Sequence, residues 1–363
     1  MPNEHIHVQL TTATLLRAVL LILFFVFLYI LKDVLIIFMF AIVIASAVTP
    51  FANWLDSKGL PRLFGVLTLY LVIFGLVIFV LSLVMPYIAD ETSQLSTTLP
   101  KIIERFSTSL NQVQQGSPQY FDFISEVQNI LDTFSIYLQQ SSQSVLSIII
   151  SIFGGVMSFV AIIVISFYLS VMKRGIESFI ESIVPAKQEA YVMDLWRRSE
   201  MKVGRWLQGQ FLLALIVGLT VYIGLSLMGI KFALIMGILA MAFEIVPIVG
   251  PVLAAIPAIA LAFLQDPGMG LWVVLFYVAV QQLENNLLVP VVLGKTTGLN
   301  PVVVIIALLV GNQLAGISGM ILSVPVATII VEVLEDLAKQ KEEIKHNGVS
   351  VSASEPPPAS SII

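Results

Sequence analysis

The sequence predicts an all-α, polytopic membrane protein, and three observations carry that prediction. Hydrophobic residues fill 58% of the 363 positions and charged residues only 11%, whereas a soluble domain carries about 25% charged residues. Apolar runs recur at roughly the 20 residues that a helix needs to cross a bilayer. They are too long to be strands, and charges and turn residues fall mainly between them.

Composition also excludes several chemistries. The chain has no cysteine, which removes disulfides, thiolate metal sites and a cysteine nucleophile. Its histidines are His5, His7 and His346, all in the polar ends, so no span holds an imidazole for a metal or for general base work. The phosphate-cradling pattern Gly-x-x-x-x-Gly-Lys-Ser/Thr is absent, which argues against a nucleotide-driven pump. A net charge of −5 spread along the chain gives no nucleic-acid surface. The expectation is a non-enzyme with no cofactor and no resident metal.

Residues 1–89 form an N-terminal region of three spans, 14–31, 34–54 and about 63–88. Lys32-Asp33 separates the first two, and Asp56 to Arg62 forms the next turn. Ala45-Ser46-Ala47 resembles a cleavage site but follows two long apolar runs, so the N-terminus reads as retained. Residues 90–144 are polar and predict an extracytoplasmic insertion of two amphipathic helices, broken at Gly116-Ser117-Pro118. Their stripes are Ile103, Phe106, Leu110, Val113 and then Ile124, Val127, Leu131, Phe134, Leu138, both at helical spacing.

Residues 145–172 are the fourth span. In the linker 173–208, Arg198, Lys202 and Arg205 share one helix face, opposite Val192, Trp196, Ser199, Val203 and Trp206. That pattern reads as a basic helix lying in the headgroup layer. Residues 209–337 form a C-terminal transport region: a fifth span at 209–228, then apolar blocks at 232–264, 271–292 and 299–333. The tail 338–363 holds Pro356-Pro357-Pro358 and many serines, and reads as disordered and cytoplasmic. Placing both termini in the cytoplasm leaves only Lys32, Lys101, Arg105 and Lys231 outside, as the positive-inside rule asks.

Function is sought where polarity enters the apolar blocks. Glu244 and Glu284 sit inside such blocks without a basic neighbour, and an acid at membrane depth is costly enough to be a functional candidate by default. Desolvation penalises a charged carboxylate, so either acid is a candidate for proton exchange. The competing reading is an acid that only ties helices together. Glu284 lies among Gln281, Gln282, Asn285 and Asn286, amides rich in donors and acceptors; these predict a substrate or ion path.

Pro247, Gly250 and Pro251 follow Glu244, and cannot all sit in an uninterrupted helix. Asn312 and Gln313 precede Gly316, Gly319 and Pro325 in a similar arrangement. Pro290 adds a further break. Blocks 232–264 and 299–333 thus read as broken or re-entrant helices, the predicted breaks being at Gly250 and Gly319. Two hairpins entering from opposite sides would make an inverted pair, as in many secondary transporters; two single long spans remain the alternative.

Glu244-Ile245-Val246-Pro247-Ile248-Val249-Gly250-Pro251, Gln282-Leu283-Glu284-Asn285-Asn286-Leu287-Leu288-Val289-Pro290, Gly294-Lys295 with Leu299-Asn300-Pro301, and Gly316 and Gly319 before Pro325 resemble the autoinducer-2 exporter family. Gly204-Arg205-Trp206-Leu207-Gln208-Gly209-Gln210 adds to it. The resemblance covers about 10–337, with its strong motifs in the second half. It implies a permease-like bacterial inner-membrane protein that exports a small polar solute, a quorum-sensing furanone being the family's namesake. It also implies homo-oligomers, a pentamer being the first candidate, and for some relatives exchange of sodium or lithium for protons. A secondary exporter is therefore the leading expectation, a cation/proton antiporter the next, and a channel or scaffold below both.

Overall fold

The computed structural model describes residues 12–116, 155–294 and 298–352. Every regular element in them is helical: α1 (Thr12–Ile30), α2 (Lys32–Ser57), α3 (Arg62–Gly116), α4 (Val156–Val171), α5 (Gly175–Ile183), α6 (Glu189–Leu227), α7 (Ala233–Phe243), α8 (Val249–Gln265), α9 (Pro267–Leu283), a π segment (Glu284–Leu288), α10 (Val289–Val292) and α11 (Pro301–Ser352). Among the described residues, four helices are long and apolar enough to cross a membrane, or five if α4 and α5 count as one span bent by 84°. Many large apolar side chains, such as Leu71, Ile78 and Leu309, face outward. That is the surface expected of a protein whose solvent is lipid.

Helix lengths differ from the expectations. The third span and the first helix of the polar insertion are one 55-residue helix, α3. The linker helix and the fifth span are likewise one 39-residue helix, α6. No proline interrupts either junction, between 87 and 99 or between 186 and 246, so the amphipathic turns simply continue the apolar ones. The Ser117-Pro118 break, the stripe at 124–138 and Lys295 lie outside the described residues. The tail expected from 338 is helical as far as Ser352.

Small residues set the packing. Gly218 of α6 faces Gly237 of α7, and a Cβ on either would lie 2.9 Å from the other's carbonyl oxygen. This close approach is how helices associate without a water-driven force. Pro50 inside α2 cannot donate to the carbonyl of Ser46. Gly204 of α6 packs directly against that carbonyl, and Gln208 Nε2 donates to the next one, on Ala47, at 2.6 Å.

Both suspected blocks are broken, each at its own kind of defect. The first splits into α7 and α8, with Ile248 forced to φ 68° between them. At 11 and 17 residues these helices are about 16 and 25 Å long, each short of a hydrocarbon core of about 30 Å. The second breaks at Ala315 (φ −146°) and Gly316 (φ 57°). Past that kink Gly319 packs against the backbone of Gly311, although eight residues of straight helix would hold them about 12 Å apart. The chain therefore doubles back. Gly250 and Gly319 are not the breaks: both sit in helical turns just beyond them, where the two arms touch and a Cβ would collide with the carbonyls of Phe243 and Gly311 respectively. Pro251 lies in the first turn of α8, and Pro325 is accommodated inside α11 without a kink.

The first hairpin is pinned at its outer corner. α7 begins after Phe232, in a left-handed conformation (φ 61°) and without a side-chain cap of its own. Glu91 of α3 supplies one instead, accepting from Ile235 N at 3.1 Å. A carboxylate suits that positive helix end.

Candidate functional site

Glu244 follows the last turn of α7, its N–H bonded to Ala240 O at 3.0 Å, so its side chain projects from the face that Ala240 occupies. Glu284 opens the π segment, and Tyr277, Gln281 and Glu284 fall at i, i+4 and i+7 on one side of α9. The two acids come from different apolar blocks and line one enclosed space. Its dry walls include Val217 and Val221 of α6, Ala240 of α7 and Ala254 of α8. Glu244 is 1% exposed and Glu284 5%. No lysine, arginine or histidine lines the space.

The free volume there is about 10 Å³, room for about one water molecule. Glu244 Oε2, Glu284 Oε2 and Tyr277 OH are buried with no hydrogen-bond partner among the described residues. Two acids in one dry space cannot cheaply both carry charge. The arrangement suits a group that gains and loses a proton or a small cation. Among the described residues no cluster of three or more histidine, cysteine or acidic side chains exists that would hold a metal ion.

The amides expected beside Glu284 divide. Gln281 lines the space. Gln282, Asn285 and Asn286 are exposed on the outer side, and Asn286 Nδ2 bonds Gln282 Oε1 at 3.1 Å. Pro290 explains the local geometry: it has no N–H for the carbonyl of Asn286, and the chain responds by widening into a π turn in which Val289 N–H reaches Glu284 O. Such a bulge is frequent at functional sites. Asn312 and Gln313 are exposed near the tip of the second hairpin and do not line the space.

Sequence reading passed over Tyr277 and the acids of the last helix. Tyr277 was legible, one helical face from Glu284. The last-helix acids alter the reading of the basic face on α6. Arg198 pairs with Asp336 at 2.5 Å and with Glu332, and Lys202 pairs with Glu332. Glu332 is 4% exposed. Arg198 and Lys202 therefore clamp α6 to α11 instead of facing headgroups; Arg205 remains exposed.

The chain matches the AI-2E family transporter over residues 18–339. It is 30% identical to YueF of Bacillus subtilis (strain 168) over 284 residues, 76% of each chain. It is 26% identical to YrrI of the same organism over 310 residues, covering 84% of this chain and 86% of that one. Similarity extends to the AI-2 transport protein TqsA of Escherichia coli (strain K12), at 25% identity over 311 residues, 84% of this chain and 87% of that one. With most of its length matched, this all-helical chain belongs to the AI-2E family of membrane transporters.

Proposed function

We propose that the protein is a secondary carrier that exports a small polar solute across the bacterial inner membrane, with Glu244 and Glu284 as its proton-coupling site. One observation carries this: two buried acids from separate apolar blocks face one small space with no basic partner lining it. Acids at membrane depth are characteristic of proton relays in carriers. Their mounting on a helix break and a π turn allows local movement without unfolding a span. The solute class rests on the family and on the name of TqsA. The outward amides Gln282, Asn285 and Asn286 favour a homo-oligomer that covers them, since polar groups at this depth seek partners.

A second reading, sodium or lithium exchange for protons, is favoured by the free volume of about 10 Å³. That space suits an ion or a water molecule and not a furanone. Proteoliposomes loaded with a pH-sensitive dye distinguish the two. Proton flux on adding AI-2 supports the exporter, and flux on adding sodium or lithium alone supports the antiporter. In either case Glu284→Gln keeps size and hydrogen bonding but cannot titrate, so coupled flux falls to the level of empty liposomes while elution volume is unchanged. Wild-type flux with an unaltered pH profile in Glu284→Gln overturns the coupling site.

A further inference from the structure

We infer that Gln210 is the positioning residue of the carboxylate site, the side chain that fixes where the helix break holds Glu244. The inference rests on the coupling role proposed for Glu244 and Glu284, and its geometry is independent of which solute moves.

The break leaves the main-chain carbonyl of Glu244 in need of a donor. In a continuing helix the donor would be the N–H four residues on, or three in a tighter turn. Three residues on is Pro247, which has none. Four on is Ile248, whose left-handed backbone (φ 68°) turns the chain away, and no bond joins its N–H to Glu244. Neighbouring carbonyls fare differently: Phe243 O accepts from Val246 N at 2.9 Å and Val246 O from Gly250 N at 2.9 Å. A buried, unpaired carbonyl costs about 1–3 kcal/mol. Gln210 Nε2 of α6 fills that role by donating to Glu244 O.

Gln210 itself is 1% exposed. Because a carbonyl only accepts, the amide nitrogen must face it, which leaves Gln210 Oε1 buried and without a donor among the described residues. A long polar side chain at that depth is expensive unless its bond matters. Its neighbour Gly209 packs against Leu293, just after α10, and a Cβ there would lie 2.6 Å from Leu293 Cδ2. One turn of α6 thus touches both the break that carries Glu244 and the end of the segment that carries Glu284. A shift of α6 moves one acid relative to the other. The charged or titratable groups that share their space are Tyr277 and the two acids themselves.

The test replaces Gln210 with methionine, which keeps an unbranched chain of similar reach and removes the amide. Infrared titration of the purified protein follows the carboxylic C=O band of Glu244, assigned by its loss in Glu244→Gln. The positioning role predicts that Gln210→Met elutes as wild type, that the midpoint of this band moves by about one pH unit or more, and that coupled flux falls about ten-fold or more with a displaced pH profile. Lower melting temperature with an unmoved band and an unmoved pH profile overturns it. If the methionine variant does not fold, Gln210→Glu serves: its protonated carboxyl donates as the amide does, and its ionised form does not. Flux that returns only on the acid side supports the inference, and flux independent of pH overturns it. An unaltered profile in Glu284→Gln, together with a moved Glu244 band in Gln210→Met, rejects the coupling role and leaves the positioning role standing.

Discussion

Gly311 and Gly319 are neighbours only because the chain reverses between them, and each lacks the one atom that would prevent it. A Cβ on Gly319 would overlap the carbonyl of Gly311. That obstacle is backbone, which cannot rotate aside as a side chain can. Gly319→Ala is therefore expected to destabilise the fold by about 1–3 kcal/mol, the usual cost of overpacking, read as a fall in melting temperature in detergent. Gly316→Ala removes a different freedom, since φ 57° with ψ −137° lies outside the regions open to other residues. It should impair the reversal itself, without any contact to relieve. Melting of Gly319→Ala at the wild-type temperature would show that the arms do not touch.

Two helices meet in the clamp of α6 and α11 through acids and bases spaced four residues apart on each: Arg198 and Lys202 against Glu332 and Asp336. Removing Glu332 strands Lys202, while Arg198 keeps Asp336; breaking a buried pair costs about 3–5 kcal/mol, and since the side chain of Lys202 is 33% exposed, water screens part of this and about 1–2 kcal/mol is expected. Glu332→Ala should lower the melting temperature, and by less in a Lys202→Ala background than in the wild type. An equal loss in both backgrounds would mean that packing, and not the Lys202 charge, joins these helices. This clamp also marks what the sequence could convey. Periodicity within one helix is local, so the basic face at 198–205 and the acid at 284 could be read from spacing alone. Which partner covers a face depends on residues over a hundred positions away, and nothing in the spacing of Arg198 foretells Glu332. The breaks divide in the same manner. Pro247 announced a defect near 244–251, but whether the strain falls on Ile248 or Gly250 is decided by the arm that returns against Phe243. The amides looked convergent, yet only Gln281 lines the space with Glu284; Gln282, Asn285 and Asn286 fall at i, i+3 and i+4 on an exposed face.

At the scale of the whole molecule, the distribution of basic residues predicts both termini in the cytoplasm and the polar insertion outside. The chain has no cysteine, so Ser117→Cys provides a unique thiol just past the end of α3. In intact spheroplasts an impermeant maleimide is expected to label it fully; labelling only after permeabilisation would invert the topology and put the clamp of α6 and α11 on the outside. If the orientation holds, α3 has a mechanical meaning. Its 55 residues measure about 80 Å, of which about 30 Å fills the hydrocarbon. The part beyond Glu91 is an arm of about 40 Å, and a tilt of about 10° would swing its tip by about 7 Å. Glu91, where the arm grips the start of α7, is the fulcrum, and Glu244 directly follows the other end of α7. A load on the far end of α3, from a neighbouring subunit or the cell envelope, would thus be geared down into a small displacement delivered to the helix that bears one of the two acids.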